Sequence, residues 1–236
     1  MDKRLERVQL LLKDEGLNKL KNSTVLIIGV GGVGSYAAEA LARSGVGKLI
    51  LVDKDNIDIT NLNRQIHTND SNINRSKVEV MKERILSFSN CNVEIIQEFY
   101  DSSLNHIFNN VDFVIDAIDT VTSKVDIMEY CLKHKIKFVS SMGMANRFDP
   151  SMIEYTYLDK TYNDPLSKAI REVVKKRNIK KRIPVVFSRE LPLKQCEIVN
   201  EEGITRKEKI PPASLIFTPA AAGLLCSSVA LRQLIK

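Results

Sequence analysis

No two of the four cysteines, Cys91, Cys131, Cys196 and Cys226, lie close enough to form a CxxC pair. That excludes the usual zinc and dithiol redox motifs, and it is the usage expected of reduced, mostly buried thiols in a cytosolic protein. The opening residues Met1-Asp2-Lys3-Arg4-Leu5-Glu6-Arg7 are charged and lack the apolar core of a secretory signal. There is no internal repeat and no low-complexity tract. Ala213 to Leu231 carries no charge over 19 residues, near the length of a membrane span. Pro219, Gly223 and several small polar residues stand where a span needs a dense Leu/Ile/Phe run. A buried C-terminal helix after Thr218-Pro219 is expected, with no integral span and peripheral membrane contact left open.

At 236 residues the chain can bury a full core without a staple. Its net charge of +6 has a focus between Lys168 and Arg182, where Lys175-Lys176-Arg177 and Lys180-Lys181-Arg182 stand out. Such a run is either a solvated helix face or a surface for a polyanion such as RNA.

Thr24-Val25-Leu26-Ile27-Ile28 is short, apolar and β-branched, which predicts a buried strand. Gly29-Val30-Gly31-Gly32-Val33-Gly34 follows, and residues 33–43 then have helical character. Glycines here allow close approach to a ligand, and a helix N-terminus offers free N–H groups to a phosphate. A second strand, 48–52, ends at Asp53, 19 residues after Gly34. A carboxylate there suits a ribose hydroxyl. Further strands are expected at 93–97, 112–116 and 136–141. Helices are expected at 76–89, 103–108, 123–134, 165–177 and 218–234, with one or two more within 2–22. The alternation implies βαβ units and a mostly parallel sheet. After Gly143 the texture changes: 152–158 and 183–188 read as added, antiparallel strands flanking the basic helix. Residues 190–210 read as loop or extended strand turning at Glu201-Glu202-Gly203, and mobility is expected near 177–183 and 197–212.

The glycine motif alone also suits a dinucleotide dehydrogenase. The downstream residues point elsewhere. Asn61, Arg64, Gln65 and Lys77 follow Asp53 and Asp55, and cations converging near a phosphate turn suit a nucleoside triphosphate rather than a dry nicotinamide slot. Asp119 sits at the carboxyl end of a strand, where a carboxylate beside a triphosphate would ligate Mg²⁺. Asp116 competes for that role. Lys124 either neutralises the same site or is exposed.

Gly29-x-Gly31-Gly32-x-Gly34, Asp53-x-Asp55, Asn61-x-x-Arg64-Gln65, Lys77 and Asp116-Ala117-Ile118-Asp119 together resemble the ubiquitin-activating-enzyme-like superfamily over residues 4–145. The resemblance implies a Rossmann-like α/β fold: a mostly parallel, doubly wound sheet with antiparallel strands added in the C-terminal part. Residues 1–145 would form the nucleotide-binding core, and 146–236 a substrate and dimer side. It implies ATP held by the glycine turn and Asp53. Asn61, Arg64 and Lys77 would contact phosphates, and Asp119 would bind Mg²⁺. Arg7, in Arg4-Leu5-Glu6-Arg7, would act on the partner subunit's triphosphate in a homodimer.

Sulfur-carrier adenylyltransferases of that superfamily usually carry two CxxC pairs, which are missing here, so no structural zinc is expected. Residues 61–67, Asp164-Pro165-Leu166, Val186-Phe187-Ser188 and the Ala/Gly-rich C-terminal helix instead resemble the tRNA threonylcarbamoyladenosine dehydratases over nearly the whole chain. That branch implies a tRNA partner and cytoplasmic work, with room for an accessory sulfur or redox protein. Cys196 is either a nucleophile or relay thiol, or incidental. Activation of a carrier protein's C-terminal carboxylate, and an NAD-binding module, stand as the competing functions.

Overall fold

The computed structural model describes residues 2–194 and 212–236. Seven short strands form one sheet. They are β1 (Thr24–Ile28), β2 (Lys48–Val52), β3 (Asn92–Ile96), β4 (Phe113–Asp116), β5 (Lys137–Ser141), β6 (Ile153–Tyr157) and β7 (Pro184–Ser188), in the order β3-β2-β1-β4-β5-β7-β6. The central strands are apolar at nearly every position because both faces are covered. Val25 and Ile27 face one core with α1 (Glu6–Lys21), α2 (Gly34–Arg43), α3 (Lys77–Leu86) and α6 (Phe217–Leu234). Leu26 and Ile28 face the other, with α4 (Val121–His134) and α5 (Pro165–Lys176). The order reverses beside β1, and this switch point is where open α/β sheets place ligands.

The C-terminal strands pair antiparallel as expected, β6 against β7, with Ile153 opposite Ser188 and Tyr157 opposite Pro184, while β7 itself runs parallel to β5. The right-handed βαβ rule explains this, since α5 gives β7 the crossover that a parallel neighbour requires. The differences from expectation are local. The helix expected at 76–89 stops at Leu86, where the Ser87 hydroxyl donates to the Arg84 carbonyl at 2.6 Å. Residues 102–108 form a 3₁₀ helix, opened by the Asp101 carboxylate accepting from the Ser103 amide at 2.8 Å. The N-terminal segment is a 3₁₀ turn followed by α1, which breaks at Lys13 with φ of 58°. Residues 177–183 are tied down: Arg177 pairs with Asp126 and Glu129, and Lys181 Nζ donates to the Leu132 carbonyl. The turn expected at 201–203, Cys196 and most of 197–212 lie outside the described residues.

The uncharged C-terminal stretch forms α6, which crosses α2 where Gly223 stands. A Cβ on Gly223 would lie 2.3 Å from the Val33 carbonyl oxygen. Among the described residues no helix is long and apolar enough to cross a membrane.

The glycine turn divides between packing and access. A Cβ on Gly34 would fall 1.8 Å from the Gly29 carbonyl oxygen, and Gly29 itself has φ of 93°. These two let α2 leave β1 without a gap. Gly34→Ala is therefore expected to lower unfolding free energy by about 3 kcal/mol, read by urea denaturation. An unchanged midpoint would contradict this packing role.

Candidate active site

A cleft of about 510 Å³ opens at the carboxyl ends of β1, β2, β4 and β5. Gly31 and Gly32 line it, as do Gly29, Asp53, Asp55, Asn61, Arg64, Gln65, Lys77 and Asp119. A Cβ on Gly31 would meet nothing within 4 Å, so its backbone faces open space. Gly34 stands outside the lining and serves the strand–helix junction.

Asp53 ends β2 with both oxygens held by the backbone. Oδ2 accepts from the Val30 amide at 2.7 Å, and Oδ1 from the Asp55 amide at 2.9 Å. This fixes the carboxylate beside the glycine turn, and a carboxylate has about four acceptor sites, so some remain for sugar hydroxyls. Lys77 opens α3 and is buried, with Nζ 2.9 Å from Asp55 Oδ2. Partial burial pushes Asp55 toward the neutral form, but the Lys77 hydrogen bond and charge outweigh it and hold the carboxyl below its ordinary value. Asn61 is buried in the 3₁₀ turn Ile59–Asn61, where its side-chain oxygen accepts from the Asp58 amide at 3.1 Å. Arg64 lies along the glycine turn, with Cγ 3.4 Å from where a Gly32 Cβ would stand. Its Nη1 donates to the Thr60 carbonyl and to Asn63 Oδ1, and among the described residues no carboxylate neutralises it. Gln65 is buried with Oε1 unpartnered. Buried polar atoms are nearly always paired, so one at a cleft wall points to a missing ligand or water.

The two aspartates after β4 separate cleanly. Asp116 is fully buried; its oxygens accept from Lys124 Nζ at 2.9–3.0 Å, from Ser140 Oγ at 2.5 Å and from the Ile118 amide at 3.3 Å. Burial raises its pKa, against the pull of Lys124 and the hydrogen bonds. It has no lone pair left for a metal. Lys124 is fully buried, so it is neither exposed nor part of the cleft wall. It also donates to the Ile118 carbonyl at 2.9 Å, which fixes the backbone just before Asp119. Asp119 is exposed into the cleft. Among the described residues no group of three metal-ligating side chains exists. Mg²⁺ bound through substrate phosphates needs only one or two carboxylates, so a lone Asp119 fits.

Sequence reasoning missed several wall residues. Glu98, Phe99 and Tyr100 follow β3, Ser141 ends β5 and residues 142–145 follow it, and Leu166, Pro212, Ser214 and Pro219 also line the cleft. Their shared signal is position after the carboxyl end of a strand or at a helix start. Arg147 was also missed. It is buried, donating to the Glu190, Asn163 and Gly143 carbonyls, and so braces the loop that carries residues 143–145. Arg7 does not reach the cleft of its own chain. It is exposed on α1, beside Leu10 and Leu11, which are 80% and 81% exposed.

The ThiF family model matches residues 3–235. The chain belongs to the ThiF family. Within it, a Bacillus subtilis protein named tRNA threonylcarbamoyladenosine dehydratase is 44% identical, covering 98% of this chain and 94% of the relative. The solved Escherichia coli tRNA N6-threonylcarbamoyladenosine dehydratase in complex with ATP superposes with a TM-score of 0.85 at 33% identity, covering 98% of this chain and 93% of that one. Its complex with AMP gives 0.87. A Haemophilus influenzae molybdopterin-synthase adenylyltransferase is 34% identical, covering 70% of each chain.

Near Lys77 and Arg84, His67 is buried with neither ring nitrogen partnered. Burial, then the charges of Lys77 and Arg84, push its pKa down to about 4. Above pH 6.5 both folded and unfolded states carry a neutral ring. Between pH 6.5 and 4 the unfolded chain takes the proton and the folded one does not, so stability falls as pH falls. The full loss is roughly 3 kcal/mol below pH 4. Denaturation of wild type and His67→Gln at pH 7, 5.5 and 4 checks it: the difference between them should shrink or invert as pH drops. Gly31→Ala gives a second expectation, unchanged stability with nucleotide affinity reduced about tenfold or more as a methyl enters the cleft, read by ATP titration.

Proposed function

We infer that this chain is an ATP-dependent tRNA threonylcarbamoyladenosine dehydratase. The near full-length 44% identity to the Bacillus subtilis enzyme carries the inference, and the cleft supplies the chemistry. The substrate is the threonylcarbamoyl adenosine beside the anticodon. Its carboxylate is already ionised and needs no general base. It attacks the α-phosphorus of ATP, the bond to the bridging oxygen breaks, and pyrophosphate leaves. A nitrogen within the same modified side chain then attacks the acyl adenylate, closing a ring and expelling AMP. The net change in the nucleoside is loss of water.

What the protein contributes is alignment and charge. Asp53 suits the ribose hydroxyls, and Gly31 and Gly32 let the phosphates approach the α2 N-terminus. Lys77 and Arg64 offset negative charge that shifts onto the departing pyrophosphate. Asn61 and Gln65 supply neutral polar contacts. Phe99 and Tyr100 offer an apolar wall that suits the adenine. Mg²⁺, held by Asp119 with the phosphates, would neutralise the triphosphate tail. The exposed Leu10-Leu11 pair beside Arg7 is the kind of surface a second copy covers. In such a homodimer Arg7 would reach the partner's triphosphate.

Pyrophosphate release is the direct readout. Wild type with ATP, Mg²⁺ and tRNA bearing the modification should release it, and unmodified tRNA should not support release. Asp119→Ala should lower turnover by about 100-fold or more. Release instead with a carrier protein ending in Gly-Gly would favour the adenylyltransferase reading, and NAD binding without release would favour neither. Mixing Arg7→Ala with Asp119→Ala protomers tests the action in trans. One intact site per mixed dimer should restore about a quarter of wild-type activity; no recovery after confirmed subunit exchange would place Arg7 elsewhere.

A further inference from the structure

Eight cations and one carboxylate lie between Pro165 and Ile183, a net charge that exceeds the +6 of the whole chain. The rest of the molecule is therefore slightly acidic, and its basic character belongs to this one segment. The segment does not surround the cleft. Leu166, at the start of α5, lines the cleft, but α5 runs antiparallel to the strands for about 18 Å. Its last turn reaches the opposite pole of the sheet. There Tyr157 of β6 pairs with Pro184 of β7 and Lys181 bonds the carbonyl at the end of α4.

At that pole is a hollow of about 440 Å³. Leu158, Val174, Ile179 and Ile183 floor it, and its rim carries five basic side chains against one carboxylate, Asp159. Some of the rim is structural. Arg171 donates to the Thr161 carbonyl, and the Arg182 guanidinium stacks 4.0 Å from the Tyr157 ring centroid. Lys175 and Lys180 on the rim, and Lys168 and Lys176 elsewhere on α5, are different: they are exposed and have no ion-pair partner among the described residues. Unpaired lysines repel one another, and that cost is offset only when an anion arrives.

We propose that α5 and this hollow form a docking track for the phosphate backbone of the tRNA, remote from the reacting base. The proposal rests on the dehydratase reading and extends it. A substrate whose reacting group occupies the cleft must be long, rigid and polyanionic to reach the hollow at the same time. A nucleotide or a carrier protein's flexible tail is neither long nor anionic enough, whereas a folded RNA is both. The track carries point charges on flexible stems and few aromatic platforms, which suits backbone contact without base readout. Affinity for tRNA then comes largely from this pole and chemical selectivity from the cleft.

The test is the Lys175→Glu/Lys180→Glu double variant, measured for tRNA affinity across a salt series and for steady-state pyrophosphate release. Two lost phosphate contacts should flatten the slope of log affinity against log salt by about two units. KM for tRNA should rise about tenfold or more, with kcat and ATP affinity unchanged. Equal affinity and slope in variant and wild type would overturn the track. So would unchanged tRNA binding with lost binding to phosphatidylserine vesicles, which would assign the lysines to a membrane surface. A drop in kcat at constant KM would also overturn it, since a docking contact acts before chemistry. Wild-type release on modified tRNA reads the dehydratase assignment separately: if wild type binds tRNA but never releases pyrophosphate, that reading fails while the binding result still stands.

Discussion

Lys124 Nζ is wholly removed from water, bonded to both oxygens of Asp116 and to the Ile118 carbonyl. Taking two charges out of water costs several kcal/mol each, and a well-packed apolar pair could be as stable. What an apolar pair could not do is hold three elements at once. Asp116 ends β4, Ser140 belongs to β5, and Lys124 lies in the first turn of α4. The bond to Ile118 sets the chain direction one residue before Asp119. If Asp119 holds Mg²⁺ with the phosphates, as proposed, its carboxylate needs placement within about half an ångström. The buried pair would supply that placement, a use for ionic groups in a position otherwise suited to hydrocarbon.

The same logic orders the rest of the cleft. Three of the charged groups lining the cleft are oriented by a fixed partner. Asp53 is held by the Val30 and Asp55 amides, and Lys77 by Asp55. Arg64 is held by the Thr60 carbonyl and Asn63. Arg64 is the informative exception in sign, because its anchors are neutral. Its positive charge is therefore not cancelled before substrate arrives, whereas Lys77 shares its charge with Asp55. In the proposed function, a triphosphate would compete with Asp55 for Lys77 but would find Arg64 without a carboxylate partner. Preorganised, uncompensated charge is what makes a site favour a state with more negative charge than its resting one.

How much of this is written in the primary sequence depends on the range of the interaction. The five strands of the nucleotide core were legible to within about a residue, because apolar β-branched runs bounded by glycine or aspartate have few other structures. The glycine turn, Asp53, Arg64, Lys77 and Asp119 were legible because they lie at fixed offsets from those strands. Lys124 was not. Its sequence neighbourhood reads as an exposed helix start, and only the eight-residue link back to Asp116 buries it. Arg147 and Asn146 were equally silent. Asn146, with φ of 60°, bonds Ala213 through its amide and side-chain oxygen and Leu193 through its carbonyl. Partners 47 and 67 residues away leave no local pattern. That β7 joins β5 in parallel was not legible either: strand patterning shows that a strand exists, while its neighbour and direction follow from the crossover before it.

The basic segment shows the opposite failure, in which sequence exaggerates proximity. Residues 168–182 follow directly on Leu166, which touches the cleft, and in one dimension they look like part of the site. Helical geometry carries them away at about 1.5 Å per residue, to the far ends of the strands. Arg177 is spent on Asp126 and Glu129, and Arg171 on the Thr161 loop, so the arginines staple α5 to the body. Apart from Lys181, which bonds the Leu132 carbonyl, the lysines are left to solvent. That division follows the chemistry of the two side chains: a planar fork locks protein to protein, and a compact ammonium on a flexible stem adapts to a phosphate that comes and goes. The charge that the composition attributes to the whole chain is thus concentrated where it cannot disturb the balance of Asp53, Asp55, Arg64 and Lys77. A polyanion-attracting surface at one pole and a nucleotide cleft with its own charge pattern at the other need this separation, because within a Debye length of about 8 Å each would shift the ionisation of the other.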